Sequence, residues 1–210
     1  MAERSKIFED HYQDYCRQIA AVDLAFIKDR LEIQVKNNIA QITFFNQIYQ
    51  VSGHGIFDVN NEKADYVSCV ILSKYILLCP DQLYLDADWC TFRDFKKESH
   101  FTNTNYLTSD TTQRIINHFS GRLADLKTAC GKINGADQQM GLAYDLSVSF
   151  TVLPRLSLLL LVNDADDDFP VDCKVLFQKQ GEYYLDPESL AMTSGLLAKK
   201  LIQADENKGV

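Results

Sequence analysis

The sequence predicts an α+β fold, a single domain in which a mostly antiparallel sheet is packed by helices. Three observations lead there. Apolar residues near the start recur at helical spacing, those that follow alternate with a period of two, and the last segment returns to helical spacing behind a strong cap. A chain of 210 residues suits one domain over 1–210 and can bury a core without a metal or a staple.

Phe8, Tyr12, Tyr15, Ile19, Val22 and Phe26 fall at alternating four- and three-residue steps, which places them on one helical face. Asp23 is also a capping residue, so the segment reads as one helix or as two. Leu31, Ile33 and Val35 alternate with polar neighbours, and Asn37-Asn38 supplies turn chemistry because Asn tolerates positive φ. Residues 39–45 and 48–52 read as further strands around Asn46-Gln47, followed by Gly53-His54-Gly55. The result is a three- or four-stranded antiparallel meander.

Residues 63–79 are apolar nearly all round, which predicts a buried helix stopped by Pro80. Residues 81–107 read as irregular. Their aromatics (Tyr84, Trp89, Phe92, Phe95, Phe101, Tyr106) either pin a long loop to the core or line an apolar pocket. Thr108, Ser109 and Asp110 offer caps for a helix that turns Ile115, Ile116, Phe119, Leu123 and Leu126 inward and ends at Gly131. Two strands surround Pro154, and 156–162, apolar on both faces, reads as a central strand. An acidic loop, Asp164-Ala165-Asp166-Asp167-Asp168, leads to a short strand at Val175-Leu176-Phe177. Asp186 as cap, Pro187 at the first helical position and a Leu185–Leu190 staple open the last helix, with Leu190, Ser194, Leu197 and Leu201 inward.

Composition removes several function classes. The formal charge is −8, so phosphate backbones and anionic lipid repel the chain, and neither nucleic acid nor a membrane surface is an expected partner. No signal-peptide pattern opens the sequence and no apolar stretch approaches a membrane span, so a cytoplasmic location is expected. Six cysteines contain no C-x-x-C pair, which predicts reduced thiols acting as small hydrophobes rather than zinc or iron–sulfur ligands. Four histidines lack the helical spacing that holds a transition metal. Asp164, Asp166 and Asp168 match the first ligands of a calcium loop, but Phe169 stands where the turn wants Gly and Val175 where a bidentate Glu belongs. Asp86 and Asp88 are the carboxylates expected to be able to meet that loop around a hard cation, although nothing in the sequence requires it. No metal site and no cofactor is expected. Cys90, between Trp89 and nearby Arg93, is a candidate for a thiol pKa lowered by the guanidinium.

The order of landmarks carries a family resemblance. Tyr75-Ile76-Leu77-Leu78 is followed by Asp88-Trp89-Cys90-Thr91-Phe92-Arg93-Asp94-Phe95. Leu153-Pro154-Arg155, Asp167-Asp168-Phe169-Pro170, Val175-Leu176-Phe177 and Tyr184-Leu185-Asp186-Pro187-Glu188-Ser189-Leu190 come next. Over about residues 15–203 this resembles DUF3786, a domain of unknown function found largely in anaerobic bacteria and archaea. The resemblance supplies no catalytic residue. Some relatives carry the domain beside a cysteine-rich iron–sulfur domain, which implies a protein partner from iron–sulfur or corrinoid systems. This chain has no cysteine cluster of its own, and Asn46 stands where the family's hairpin turn has Gly.

Trp89, Arg93, Arg155, Asp167 and Asp168 form the candidate ligand-binding set. An Arg–carboxylate pair across strand ends is either a structural clamp or the charged wall of a pocket. Two functions follow as expectations. The first is a binding or accessory domain for a redox or cofactor-carrying partner, or for a small ligand, in anaerobic metabolism. The second is an enzyme that holds a small anionic substrate with Arg93 or Arg155 and uses Asp167 or Asp168 as base. The sequence sets no oligomeric state.

Overall fold

The computed structural model describes residues 2–95, 104–141, 144–166 and 168–207, with backbone alone at 2–5 and 104–109. The opening helical repeat resolves into two helices, α1 (Ala2–Ala20) and α2 (Leu24–Leu31). Asp23 caps α2 by accepting the Phe26 N–H at 3.1 Å. Tyr12, Cys16 and Ile19 are buried, yet Phe26 is 74% exposed. The restart at Asp23 rotates the second helix, so the expected inner face does not run through to Phe26. Leu31 closes α2 instead of opening a strand. Glu32 adopts left-handed backbone (φ 56) and its N–H, like that of Ile33, closes on the Lys28 carbonyl.

The period-two region forms a four-stranded meander, β1 (Gln34–Lys36), β2 (Ile39–Phe44), β3 (Gln47–Ser52) and β4 (Gly55–Asp58), in that spatial order. Two-residue turns with both φ values positive join its first hairpins: Asn37-Asn38 at 50° and 58°, Phe45-Asn46 at 46° and 60°. The second turn sits one residue earlier than expected, because Phe44 pairs with Gln47. The glycines of the third turn are there for contact. A Cβ at Gly53 would lie 2.6 Å from Ala20 Cβ, and one at Gly55 would lie 2.7 Å from the Tyr12 hydroxyl. That hydroxyl accepts the Ile56 N–H at 3.0 Å and seats α1 on the hairpin.

The helix expected over 63–79 is α3 (Tyr66–Leu77), capped by Asp65. A second, five-stranded antiparallel sheet has the order β5-β9-β8-β7-β6: β5 (Trp89–Cys90), β6 (Ala136–Asp137), β7 (Leu146–Leu153), β8 (Leu156–Asn163) and β9 (Asp172–Gln178). The expected central strand, β8, lies in the middle, and Leu158, Leu159, Leu160, Leu161 and Val162 are all buried. Consecutive residues face opposite sides of a sheet, so both faces of β8 are dry. The sheets meet where the Phe45 N–H donates to the Val152 carbonyl at 3.0 Å.

The single helix expected over about 110–131 is two helices, α4 (Thr104–Phe119) and α5 (Leu123–Lys132). Gly121 breaks them with φ 69, and its N–H donates to Asp164 Oδ1 at 2.9 Å. Phe101 lies outside the described residues. A short α6 (Gly181–Tyr184) precedes α7 (Pro187–Glu206), which packs against α3, α4 and α5. Leu190, Ser194, Leu197 and Leu201 are buried, as their spacing predicts.

Asp186 caps α7 through the Ser189 N–H at 2.8 Å and pairs with Lys74 at 3.2 Å. Burial alone would raise its carboxyl pKa, but the bonds from Ser189 and Lys74 outweigh burial and hold it below the usual carboxylate value. A folded-state pKa below the unfolded one stabilises fully above the ordinary carboxyl range, and that contribution is lost as pH falls through the folded value. Asp186→Ala should therefore cost about 1 kcal/mol at neutral pH. It should also flatten part of the decline in stability below about pH 4; urea unfolding at pH 7 and pH 3 measures both.

Candidate functional site

Arg155 lies in the β7–β8 turn, and its side chain is largely buried among acceptors. Its Nε donates to the Arg30 carbonyl at 3.1 Å and its Nη2 to the Asp29 carbonyl at 3.0 Å. Its Nη1 lies 2.8 Å from Glu32 Oε2. The guanidinium thus satisfies carbonyls at the C-terminus of α2, where a cation is favoured. Its own backbone is held equally closely. The Arg155 N–H donates to the Tyr75 hydroxyl at 3.2 Å, that hydroxyl donates to the Leu31 carbonyl at 2.7 Å, and Gln180 Nε2 donates to the Arg155 carbonyl at 2.7 Å. Of the two roles the sequence leaves open for this arginine, the geometry is that of a clamp. Its carboxylate partner is Glu32, not Asp167 or Asp168.

Asp168 lies beyond the other end of β8, which spans roughly 25 Å at about 3.3 Å per residue. Asp168 is exposed, and Asp167 lies outside the described residues. The loop's neighbouring carboxylates bind backbone amides. Asp166 Oδ1 accepts the N–H groups of Asp168 at 2.9 Å and Phe169 at 2.7 Å, and Asp145 Oδ2 accepts that of Asp164 at 2.8 Å. Asp88 sits at the far end of β9, paired with Lys179 at 3.1 Å. Among the described residues, no group of three or more His, Cys, Asp or Glu side chains is placed to hold a metal ion.

Trp89 and Arg93 belong to a third place, the edge of β9. Trp89 pairs with Gln178 and Cys90 with Phe177. The aromatics around them pin the chain: Phe92 and Phe95 are buried against Phe177 with ring centroids 5.7 Å apart, and Tyr84 stacks on Tyr183 at 3.8 Å. Trp89 is half-buried. Arg93 is exposed in a single 3₁₀ turn, Phe92–Asp94, whose Asp94 carboxylate accepts the Thr91 N–H at 2.7 Å. Beside it runs a groove of about 380 Å³ between Thr91, Arg93, Thr112 and the β9 residues 173–176. Of the five residues expected to share a site, the structure therefore brings together Trp89 and Arg93 on one edge and leaves Arg155 and Asp168 apart.

The expected low pKa of Cys90 is reversed. Burial pushes this thiol up to about 11, and those of Cys69, Cys130 and Cys173 up to about 12. All six cysteines are free, and Cys79 alone of them is not fully buried.

One polar cluster has no sequence signal, because its members lie on three segments. The buried Asp205 Oδ2 binds His118 Nε2 at 2.9 Å and Arg122 Nη2 at 2.8 Å, tying the end of α7 to the end of α4 and to the break before α5. A carboxylate only accepts, so His118 donates from Nε2.

Two measurements test these assignments. Arg155→Ala should lower stability by about 2 kcal/mol, because it orphans several acceptors. Arg155→Lys should restore less than half of that in urea unfolding, since one ammonium cannot span the fork. Iodoacetamide at pH 8 should modify Cys79 first in the native protein and leave the other five thiols until unfolding, counted by intact-mass spectrometry.

Among the described residues no helix is long and apolar enough to cross a membrane. Comparison with curated proteins and with solved structures gave no match. Compared with known families, residues 23–200 match the domain of unknown function DUF3786, with the buried helix, both sheets and the groove beside Arg93 inside the matched span. The chain belongs to the DUF3786 family.

Proposed function

We propose that this domain is a binding module that receives an extended, anionic segment of a partner protein as an added strand along β9. One observation carries the reading. β9 pairs with β8 from Asp172 to Phe177, but on its other side it pairs with β5 only at Phe177 and Gln178. The Lys179 N–H donates to the Asp88 carbonyl at 2.9 Å, so residue 179 turns its backbone toward β5. Alternation then turns the N–H and C=O groups of Cys173 and Val175 to that same side, where no described strand pairs with them. Such an edge is a template for strand addition, with main-chain bonds for affinity and flanking side chains for selection.

Arg93 and Lys174 line the groove, Lys174 paired with Asp172 at 2.7 Å and Arg93 exposed, in a chain of charge −8, which favours an acidic segment and disfavours a second copy of the same surface. The partner class is the one the family resemblance implies: a redox or cofactor-carrying protein of anaerobic metabolism, met in the cytoplasm. The alternative, an enzyme that pairs Arg155 with Asp168, gains no support from those side chains, which stand at opposite ends of β8.

Capture from native anaerobic lysate should recover a partner with the wild-type protein and lose it with Arg93→Glu/Lys174→Glu, whose two sites are exposed. Binding should slow amide exchange at Cys173 and Val175. Repeated recovery of the bare protein, retention of the partner by the double variant, or full protection of both amides in the free protein would each refute the reading.

A further inference from the structure

A second groove, of about 240 Å³, lies on the opposite side of α4, between α4 and α7. Met192, Gly195 and Leu196 of α7 form its floor, and Asp110, Arg114 and Lys199 stand on its rim. The glycine is the informative residue. Gly195 sits in the interior of a 20-residue helix, where glycine costs about 1 kcal/mol relative to alanine. Its neighbours do not require it, because a Cβ there would meet nothing closer than Thr111 Oγ1 at 3.8 Å, an ordinary contact. Its backbone does not require it either, since glycines with positive φ occur only at Gly55 and Gly121 among the described residues. What Gly195 provides is the depth of the groove. The α4–α7 contact beneath is fixed independently by the buried Thr111–Ser194 hydroxyl pair at 3.2 Å.

The rim supplies two cations against one carboxylate. Arg114 and Lys199 are exposed, and neither forms an ion pair with a described residue. An apolar floor under a rim that carries two cations against one carboxylate is complementary to a small anion with a short apolar body. We infer that the α4–α7 groove over Gly195 is a binding site for a small amphipathic anion of the medium-chain carboxylate class. It is separate from the β9 edge and independent of the strand-addition reading.

Octanoate, with hexanol as the uncharged control, tests the inference by titration followed in the methyl signals of Met192 and Leu196. Saturable binding is expected, with hexanol at least tenfold weaker. Gly195→Leu, which fills the floor, should abolish the shifts. Arg114→Gln/Lys199→Gln, on exposed positions that leave the fold intact, should weaken octanoate at least fivefold without affecting hexanol. Absence of saturation at millimolar octanoate would overturn the site. So would affinity unchanged in the double variant, or shifts centred away from α7.

Discussion

A strand that is apolar on both faces has to be covered on both, and β8 imposes that condition on everything around it. Leu158 to Leu161 are four consecutive buried leucines. Their burial contributes on the order of 10 kcal/mol in gross terms, comparable with the net stability of a whole domain. A strand of this kind cannot be an edge, so β7 and β9 flank it. Its ends also have to leave the interior without orphaning polar groups. Arg155 manages this at one end by binding the last carbonyls of α2, while Tyr75 and Gln180 take its backbone. At the other end Asp164 meets Gly121 and Asp145, so both exits of β8 double as joints to helices.

The parts of this architecture visible in the sequence are those decided by local chemistry. Asp186 followed by Pro187 announces α7, the all-round apolar run announces α3, and the leucine run of β8 gives away its central place. The errors have one cause, which is that backbone reversals hide inside continuous patterns. Phe26 keeps the spacing of α1 although Asp23 has restarted the helix, and Leu123 keeps the spacing of α4 although Gly121 has broken it. Leu31 and Ile33 keep a strand's alternation while the chain between them turns through Glu32. Periodicity records which residues are inside. It does not record where the axis changes.

The candidate residues could be picked out one by one, but not where the fold would place them relative to one another. Arg93 and Arg155 share a chemistry, and nothing in one sequence separates an arginine bound to helix carbonyls from one left in solvent. Pairing across the sheet decides that, and it depends on partners far along the chain. The His118–Asp205 contact has the same origin. Gly195 differs, because a glycine inside an otherwise ordinary helical repeat is a local anomaly, and only the space above it shows that no packing demand explains it.

β5 is two residues long, and its partners lie almost ninety residues further along the chain. Closing over that separation costs more chain entropy than pairing the near neighbours β7, β8 and β9, so β5 is expected to dock after that meander. Until then no described strand pairs with the outer rim of β9. If β9 receives a partner strand as proposed, the newly made chain offers that segment a longer rim than the finished molecule does, and β5 competes with it for Phe177 and Gln178.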